Sequence, residues 1–278
     1  MDNKGFDPIS IFWLFIIISS LQPLLRQKMI EAARTRLIAQ IERKRNSRVI
    51  LIVHRQESMS FLGIPLVKYL TMEDSEDVLR AIELTDPEKD IDLVLHTPGG
   101  LVIAALQIAR AIQNRKGKTR VIVPHYAMSG GTLIALASDE IIMSPNAVLG
   151  PVDPQLGEYP GPSLKKLIET KPIEKIDDKT FIMADIAEKA INQLQEALKE
   201  ILSKNYTAEK AEELSKKLTE GRWTHDFPIT FKFAKELGLN VKDEIPQEFM
   251  ELMSMYSQPV RKQKNVEYLH YDNHRLKS

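Results

Sequence analysis

The sequence predicts an α/β domain built from parallel βαβ units. Three observations carry that prediction. Short β-branched or apolar runs alternate with helix-periodic stretches from Ser47 to about Gly150. Two strand-to-helix junctions contain paired glycines, Gly99-Gly100 and Gly130-Gly131. No internal repeat of fixed period is present, so the alternation does not belong to a solenoid.

The elements follow in chain order. "ISIFWLFIIISSLQPLL", Ile9 to Leu25, holds no charged residue. Extended back to Phe6 it is about 20 residues long, enough at about 1.5 Å per residue to span a hydrocarbon core. A cleavable signal peptide would start positively and end in a small-x-small site. This chain starts with Asp2, Lys4 and Asp7 and offers no such site. Residues 1–25 are therefore read as a single-pass transmembrane anchor. Arg26, Lys28, Arg34, Arg36, Arg43, Lys44, Arg45 and Arg48 follow it, and the positive-inside rule places the rest of the chain in the cytoplasm, at the cell membrane. Residues 26–46 read as a basic amphipathic helix that continues the anchor, lies along lipid headgroups or is a solvated linker.

Residues 47–242 carry the predicted domain. "SRVILIVHR" is a β-branched strand, and "SEDVLRAIELT" is a helix with Ser75 as its N-cap. "IDLVLHT" reads as a buried strand, and "LVIAALQIARAIQNRKG" as a helix ending at Gly117. "TRVIVPHYA" is a strand, "GTLIALASD" a short helix, and "EIIMSPNAVLG" contains another strand. A proline- and glycine-rich loop follows Gly150. Then come a long helix through "KTFIMADIAEKAINQLQEALKEILSKN", a second one to Gly221, and a short one with Gly238 just past its end. Residues 243–278 are predicted to be a polar tail.

Composition excludes several chemistries. Lysine plus arginine equals aspartate plus glutamate, 38 each, so net charge gives no case for a nucleic-acid partner. With no cysteine, disulfides, thiolate metal sites and cysteine nucleophiles are excluded. No Walker A, G-x-G-x-x-G or H-E-x-x-H pattern occurs, so neither a cofactor nor a metal is expected.

Two turns can carry chemistry. "HTPGG" follows a buried strand and precedes a helix; its glycines permit unusual backbone geometry and its N–H groups can face an anion. "MSGG", Met128 to Gly131, has the same setting, with Ser129 at the corner either as a nucleophile or as an N-cap. Both turns fall at the same ends of neighbouring parallel strands, where such sheets place their sites. One can supply an oxyanion donor and the other a nucleophile.

"LVLHTPGG", followed about thirty residues later by "AMSGGTLIALASDEIIMSPNAVLG", resembles the Clp/crotonase-fold serine peptidases. The likeness is strongest to the signal peptide peptidase A branch and the membrane-anchored serine dehydrogenase proteinase family. It runs from about Val49 to Val241 and includes "GRWTHDFPITFKFAKELGL". The resemblance implies a Clp/crotonase-like βαβ spiral with Ser129 as nucleophile and the Gly100 and Gly130 N–H groups as oxyanion hole. It also implies a homo-oligomer, with the long helix from Lys179 as a subunit contact.

The base departs from the Clp pattern, because "LGPVDPQLG" has Val152 and Asp153 where the Clp subunit has histidine. The signal peptide peptidase branch uses a lysine near the start of a long helix, which implies Lys179 here. Lys165, Lys166, Lys171 and Lys175 are rivals. His225, beside Asp226, is the alternative base, although sequence neighbours seldom face each other. Of the other histidines, His125 is expected near the cleft, His96 in a helix layer and His54 at an exposed strand end.

The expected activity is that of an ATP-independent serine endopeptidase acting on membrane or membrane-associated proteins or peptides. Two other readings use the same cleft: a catalytically silent scaffold that binds membrane proteins, and an acyl-CoA-handling crotonase-type enzyme. In the peptidase reading, Gly100→Pro is expected to remove an oxyanion N–H and leave the fold mostly intact.

Overall fold

The computed structural model describes residues 8–54, 60–61, 64–65 and 68–256. The first seven residues of the expected anchor and the chain beyond residue 256 lie outside them. In chain order the elements are α1 (Pro8–Arg45), β1 (Ser47–Val53), β2 (Ser60–Phe61), β3 (Ile64–Pro65), α2 (Met72–Glu83), β4 (Asp90–His96) and α3 (Val102–Gln113). Then come β5 (Thr119–Val123), β6 (Tyr126–Ala127), α4 (Gly130–Leu136), β7 (Glu140–Met143), β8 (Val148–Leu149), β9 (Gln155–Leu156), β10 (Tyr159–Pro160) and α5 (Gly161–Thr170). The chain closes with α6 (Asp178–Leu202), α7 (Ala208–Thr219), β11 (Ile229–Thr230), α8 (Phe231–Leu237), β12 (Val241–Lys242) and α9 (Gln247–Ser254).

The main sheet has the order β1-β4-β5-β7-β12 and is parallel throughout. Its strands are apolar on both faces, as a sheet covered on two sides requires. Alternation sorts them. Ile50, Ile52, Leu93, Leu95, Val121, Val123, Ile141 and Met143 face one core, shared with α2, α3, α4, α6 and α7. Val49, Val94, Ile122 and Ile142 face the other, which Leu37 and Ile41 of α1 and Phe249, Leu252 and Met253 of α9 complete.

That second core corrects the polar-tail reading over residues 243–256, the described part of that segment. Phe249, Leu252 and Met253 repeat at i, i+3 and i+4, and all three are buried. Burying Phe249 alone is worth about 1.5–3 kcal/mol. The expected anchor and linker helix, where described, form one continuous helix, α1, with Pro23 inside it. Its first half exposes Phe12, Trp13, Phe15, Leu21, Leu24 and Leu25, and its last turns dock on the sheet. Among the described residues no helix is long and apolar enough to cross a membrane.

Two local expectations also change. The helix expected to start at Ser75 starts at Met72, because Thr71 and Asp74 make a reciprocal capping box. Ser75 is buried instead and donates to Gln107. "TRVIVPHYA" is two strands: β5 stops at Val123, since Pro124 has no N–H to continue a ladder. The chain then joins a second sheet, β11-β8-β6.

Asp92 fastens the sheet to α1. Its carboxylate is wholly buried and accepts from Arg45 Nε at 2.6 Å, Arg120 Nε at 2.7 Å and Ser47 Oγ at 2.6 Å. Burial by itself would raise this carboxyl. The hydrogen bonds from Arg45, Ser47 and Arg120 outweigh it and hold Asp92 below the usual carboxylate range. A depressed acid stabilises the fold above its unfolded value and loses that contribution as pH falls through the folded one, so this anchor fails only in acid below about pH 4. Asp92→Ala leaves Arg45 without its carboxylate partner, while Arg120 keeps Asp90, and is expected to lower stability by about 3–5 kcal/mol in a denaturant titration at neutral pH. An unchanged midpoint would show that the cluster is not a fastening.

Candidate active site

The two glycine turns lie side by side. Thr97 N–H donates to Tyr126 O at 3.2 Å, and Met128 N–H donates to Thr97 O at 3.0 Å. Gly99, at φ +100°, touches the serine turn so closely that an added Cβ would lie 2.8 Å from Met128 O and from Ser129 Cβ. Gly100, at φ +155°, is clasped by Leu70, and a Cβ there would fall 2.3 Å from Leu70 O. Leu70 N–H donates to Gly99 O, and Leu101 N–H donates to Leu70 O. Neither the Gly100 nor the Gly130 N–H has a backbone acceptor among the described residues. An added Cβ on Gly130 would lie 3.6 Å from Gly100 N, so the two amides are neighbours.

This geometry corrects one expectation. Proline cannot adopt φ +155°, and any side chain at Gly100 collides with Leu70. Gly100→Pro would therefore rearrange the turn instead of deleting one N–H.

Ser129 stands at φ +50°, ψ −115°, a conformation that costs a non-glycine residue on the order of 1–3 kcal/mol. It occupies the N-cap position of α4, yet its side chain makes no capping hydrogen bond. Capping therefore does not explain the serine. A strained strand-to-helix corner of this kind exposes a hydroxyl in a nucleophile elbow.

Ser129 and Gly130 open into a cleft of about 380 Å³ that Gly100, Leu133, Val152, Asp153 and His225 also line. His225 Nδ1 is 2.9 Å from Asp153 Oδ1. The Asp153 side chain is 1 % exposed and its other oxygen accepts from Gln155 Nε2 at 2.7 Å. His225 lies between α7 and β11, on a loop braced by Trp223, Phe227 and Phe233, whose ring centroids are 5.5–5.9 Å apart. Such aromatic pairs contribute about 0.5–1.5 kcal/mol each beyond their burial. Asp153 follows β8, and Val152 N–H ties its loop to Leu218 O at the end of α7. His225 Nε2 is left without a hydrogen bond to Ser129 Oγ; such contacts often tighten only when substrate is bound.

Lys179 is not part of this arrangement. It is exposed on the first turn of α6, which Asp177 caps through Thr180, and it does not line the cleft. Lys165 pairs with Glu188, and Lys166, Lys171 and Lys175 are likewise absent from the cleft wall. The partner of His225 is Asp153, 72 residues away, and not its neighbour Asp226. His125 is exposed and packs edge-on against the buried His96, outside the cleft. His54 is buried rather than exposed. Asp153 escaped sequence reasoning as a functional residue because one aspartate in a proline-rich loop has no periodicity or spacing to mark it.

The backbone strain at Ser129 is measurable. Glycine ordinarily destabilises relative to alanine by about 0.5–1 kcal/mol. At Ser129 the order is expected to invert, with Ser129→Gly more stable than Ser129→Ala by about 1 kcal/mol in denaturant titrations. The ordinary order would mean that the corner is unstrained in solution.

Comparison with known proteins places the chain. Two Methanocaldococcus jannaschii proteins, MJ0137 and MJ1495, are 55% and 50% identical to it, over 96% and 93% of this chain and 94% and 88% of their own lengths. The structure of the membrane-bound stomatin-specific protease 1510-N matches 73% of this chain and 82% of its own, at 22% identity and a TM-score of 0.46. A family model for ClpP-like SDH-type serine proteinases matches residues 5–278. The chain therefore belongs to the family of ClpP-like SDH-type serine proteinases.

Proposed function

We propose that the protein is a membrane-anchored, ATP-independent serine endopeptidase in which Ser129 is the nucleophile and His225, oriented by Asp153, is the base. The observation that carries this reading is that the strained Ser129 corner and the Asp153-bound His225 line one cleft. Asp153 accepts the Nδ1 proton of His225, which leaves Nε2 free to take the Ser129 hydroxyl proton as Oγ attacks a peptide carbonyl. The oxyanion forms between the Gly100 and Gly130 amides. His225 then hands its proton to the leaving amine, the C–N bond breaks, and water enters by the reverse sequence to release the acyl group.

Lys179 would need to be desolvated and near the serine to act as a base, and its exposed place on α6 supports neither. A fluorophosphonate probe is expected to label wild-type protein at Ser129 and to leave Ser129→Ala unlabelled. Asp153→Asn is expected to lower kcat by about 10⁴-fold, since it presents the wrong tautomer of the imidazole, and His225→Ala by a similar factor, whereas Lys179→Ala stays within about threefold of wild type. If Lys179→Ala is dead and His225→Ala active, the dyad replaces the triad. Labelling that survives Ser129→Ala would sink the peptidase reading and favour a silent scaffold.

The membrane part of the proposal rests on the first half of α1, whose exposed Phe12, Trp13, Phe15, Leu21, Leu24 and Leu25 precede a basic stretch from Arg26. Substrates are then membrane or membrane-associated proteins, and the domain is cytoplasmic. Protease added outside sealed inside-out vesicles of the cell membrane is expected to digest the domain; protection would reverse the orientation. Homo-oligomer formation is proposed through α6, which exposes Phe181, Ile182 and Ile186.

A further inference from the structure

His54, at the end of β1, is a buried titratable group that the proposed chemistry does not use. Its surroundings connect it to the oxyanion turn. His54 Nδ1 lies 2.8 Å from Thr97 Oγ1. The same oxygen accepts from Gly99 N–H at 3.1 Å. On the other side of the ring, Nε2 lies 3.4 Å from Asp74 Oδ2, the capping carboxylate of α2. Tyr126 Oη donates to His54 O, and His54 N–H donates to His96 O. Among the described residues Asp74 and Lys68 are the charged groups that act on the ring.

A hydroxyl has one proton to give. One arrangement satisfies every group: Gly99 N–H donates to Thr97 Oγ1, Thr97 O–H donates to His54 Nδ1, and His54 Nε2–H points to Asp74. We propose that His54 is a positioning residue for the oxyanion turn, holding Thr97 Oγ1 as the acceptor that fixes Gly99 and, through it, the Gly100 amide at the cleft. This rests on the reading of Gly100 as an oxyanion donor.

Protonating His54 reorders the network. Nδ1 then carries a hydrogen toward Thr97 Oγ1, which must accept from both His54 and Gly99 N–H, and the hydroxyl proton turns to Gly99 O, a long 3.5 Å away, which also accepts from Leu70 N–H. Burial, the largest influence, pushes the His54 ionisation below its usual value against the pull of Asp74, and Lys68 pushes the same way. The unfolded chain therefore takes up the proton first, and His54's contribution to stability declines as pH falls below about 6.5.

The test combines a spectroscopic and a kinetic arm on the full chain. With ¹⁵N-labelled histidine, ring spectra at pH 7.5 are expected to show His54 as the Nε2–H tautomer, and the Gly99 and Gly100 amide shifts to follow the His54 midpoint on acidification. An Nδ1–H tautomer, or glycine amides indifferent to that midpoint, overturns the proposal. In peptide cleavage, His54→Leu is expected to lose about 10- to 100-fold in kcat with KM within about threefold, since the lost interaction is made only in the transition state. His54→Asn, whose Oδ1 stands near the Nδ1 position, is expected to recover to within about fivefold of wild type. A fully active His54→Leu, or no recovery with asparagine, also overturns it. If the wild type cleaves nothing while ring and amides behave as expected, the relay is supported and the peptidase reading falls.

Discussion

The contact between two turns without side chains governs the site. Gly99 lies so close to Met128 and Ser129 that no Cβ fits, and Gly100 is held as tightly by Leu70. Because the backbones touch, Gly100 and Gly130 bring together, beside the Ser129 corner, two amides that have no backbone acceptor among the described residues. Close packing of this kind tolerates little movement, so in the proposed chemistry the two amides would be in place before a charge develops. The strain in Ser129 belongs to the same constraint, because surrounding contacts hold it: Gly131 N–H donates to Met128 O and Leu133 N–H to Ser129 O, while α4 is buried along its whole length.

The sheet makes that contact possible. β4 and β5 are parallel neighbours, so their chains emerge at one edge and lead to the two turns. Both faces of the sheet are covered, one by the helices that form the cleft wall and the other by α1 and α9. Asp92, in the middle of the sheet, ties α1 to β4 and β5 through Arg45 and Arg120. The helix that carries the exposed apolar N-terminal turns thus runs on, through Pro23, into the turns that dock on the domain carrying Ser129.

The histidines show how far local context alone determines chemistry. His225 is poised by a buried carboxylate on a loop stapled by three aromatic rings. His54 is enclosed behind the Gly99-Gly100 turn, between a threonine hydroxyl and a capping carboxylate. One side chain type therefore serves in two settings that differ in exposure, partner and access to the cleft.

By itself the sequence determined the local elements. Strand alternation, helix periodicity, Gly238 ending α8, and the paired glycines around Ser129 are all short-range signals, because backbone geometry and burial pattern repeat within a few residues. Family membership was legible for the same reason, in two motifs whose residues are contiguous. Only the tertiary structure brings Asp153 and His225 together on the wall of the cleft that Ser129 lines. Asp153 and His225 meet across 72 residues and Lys179 turns to solvent, and neither fact has a local signature. The fate of the segment after 243 was decided in the same way: Phe249, Leu252 and Met253 read as a few apolar residues near a polar end until the open face of the sheet exists for them to cover. Side chains far apart in sequence are matched by the packing of the whole domain, and that matching is a property of the fold and not of any window of the chain.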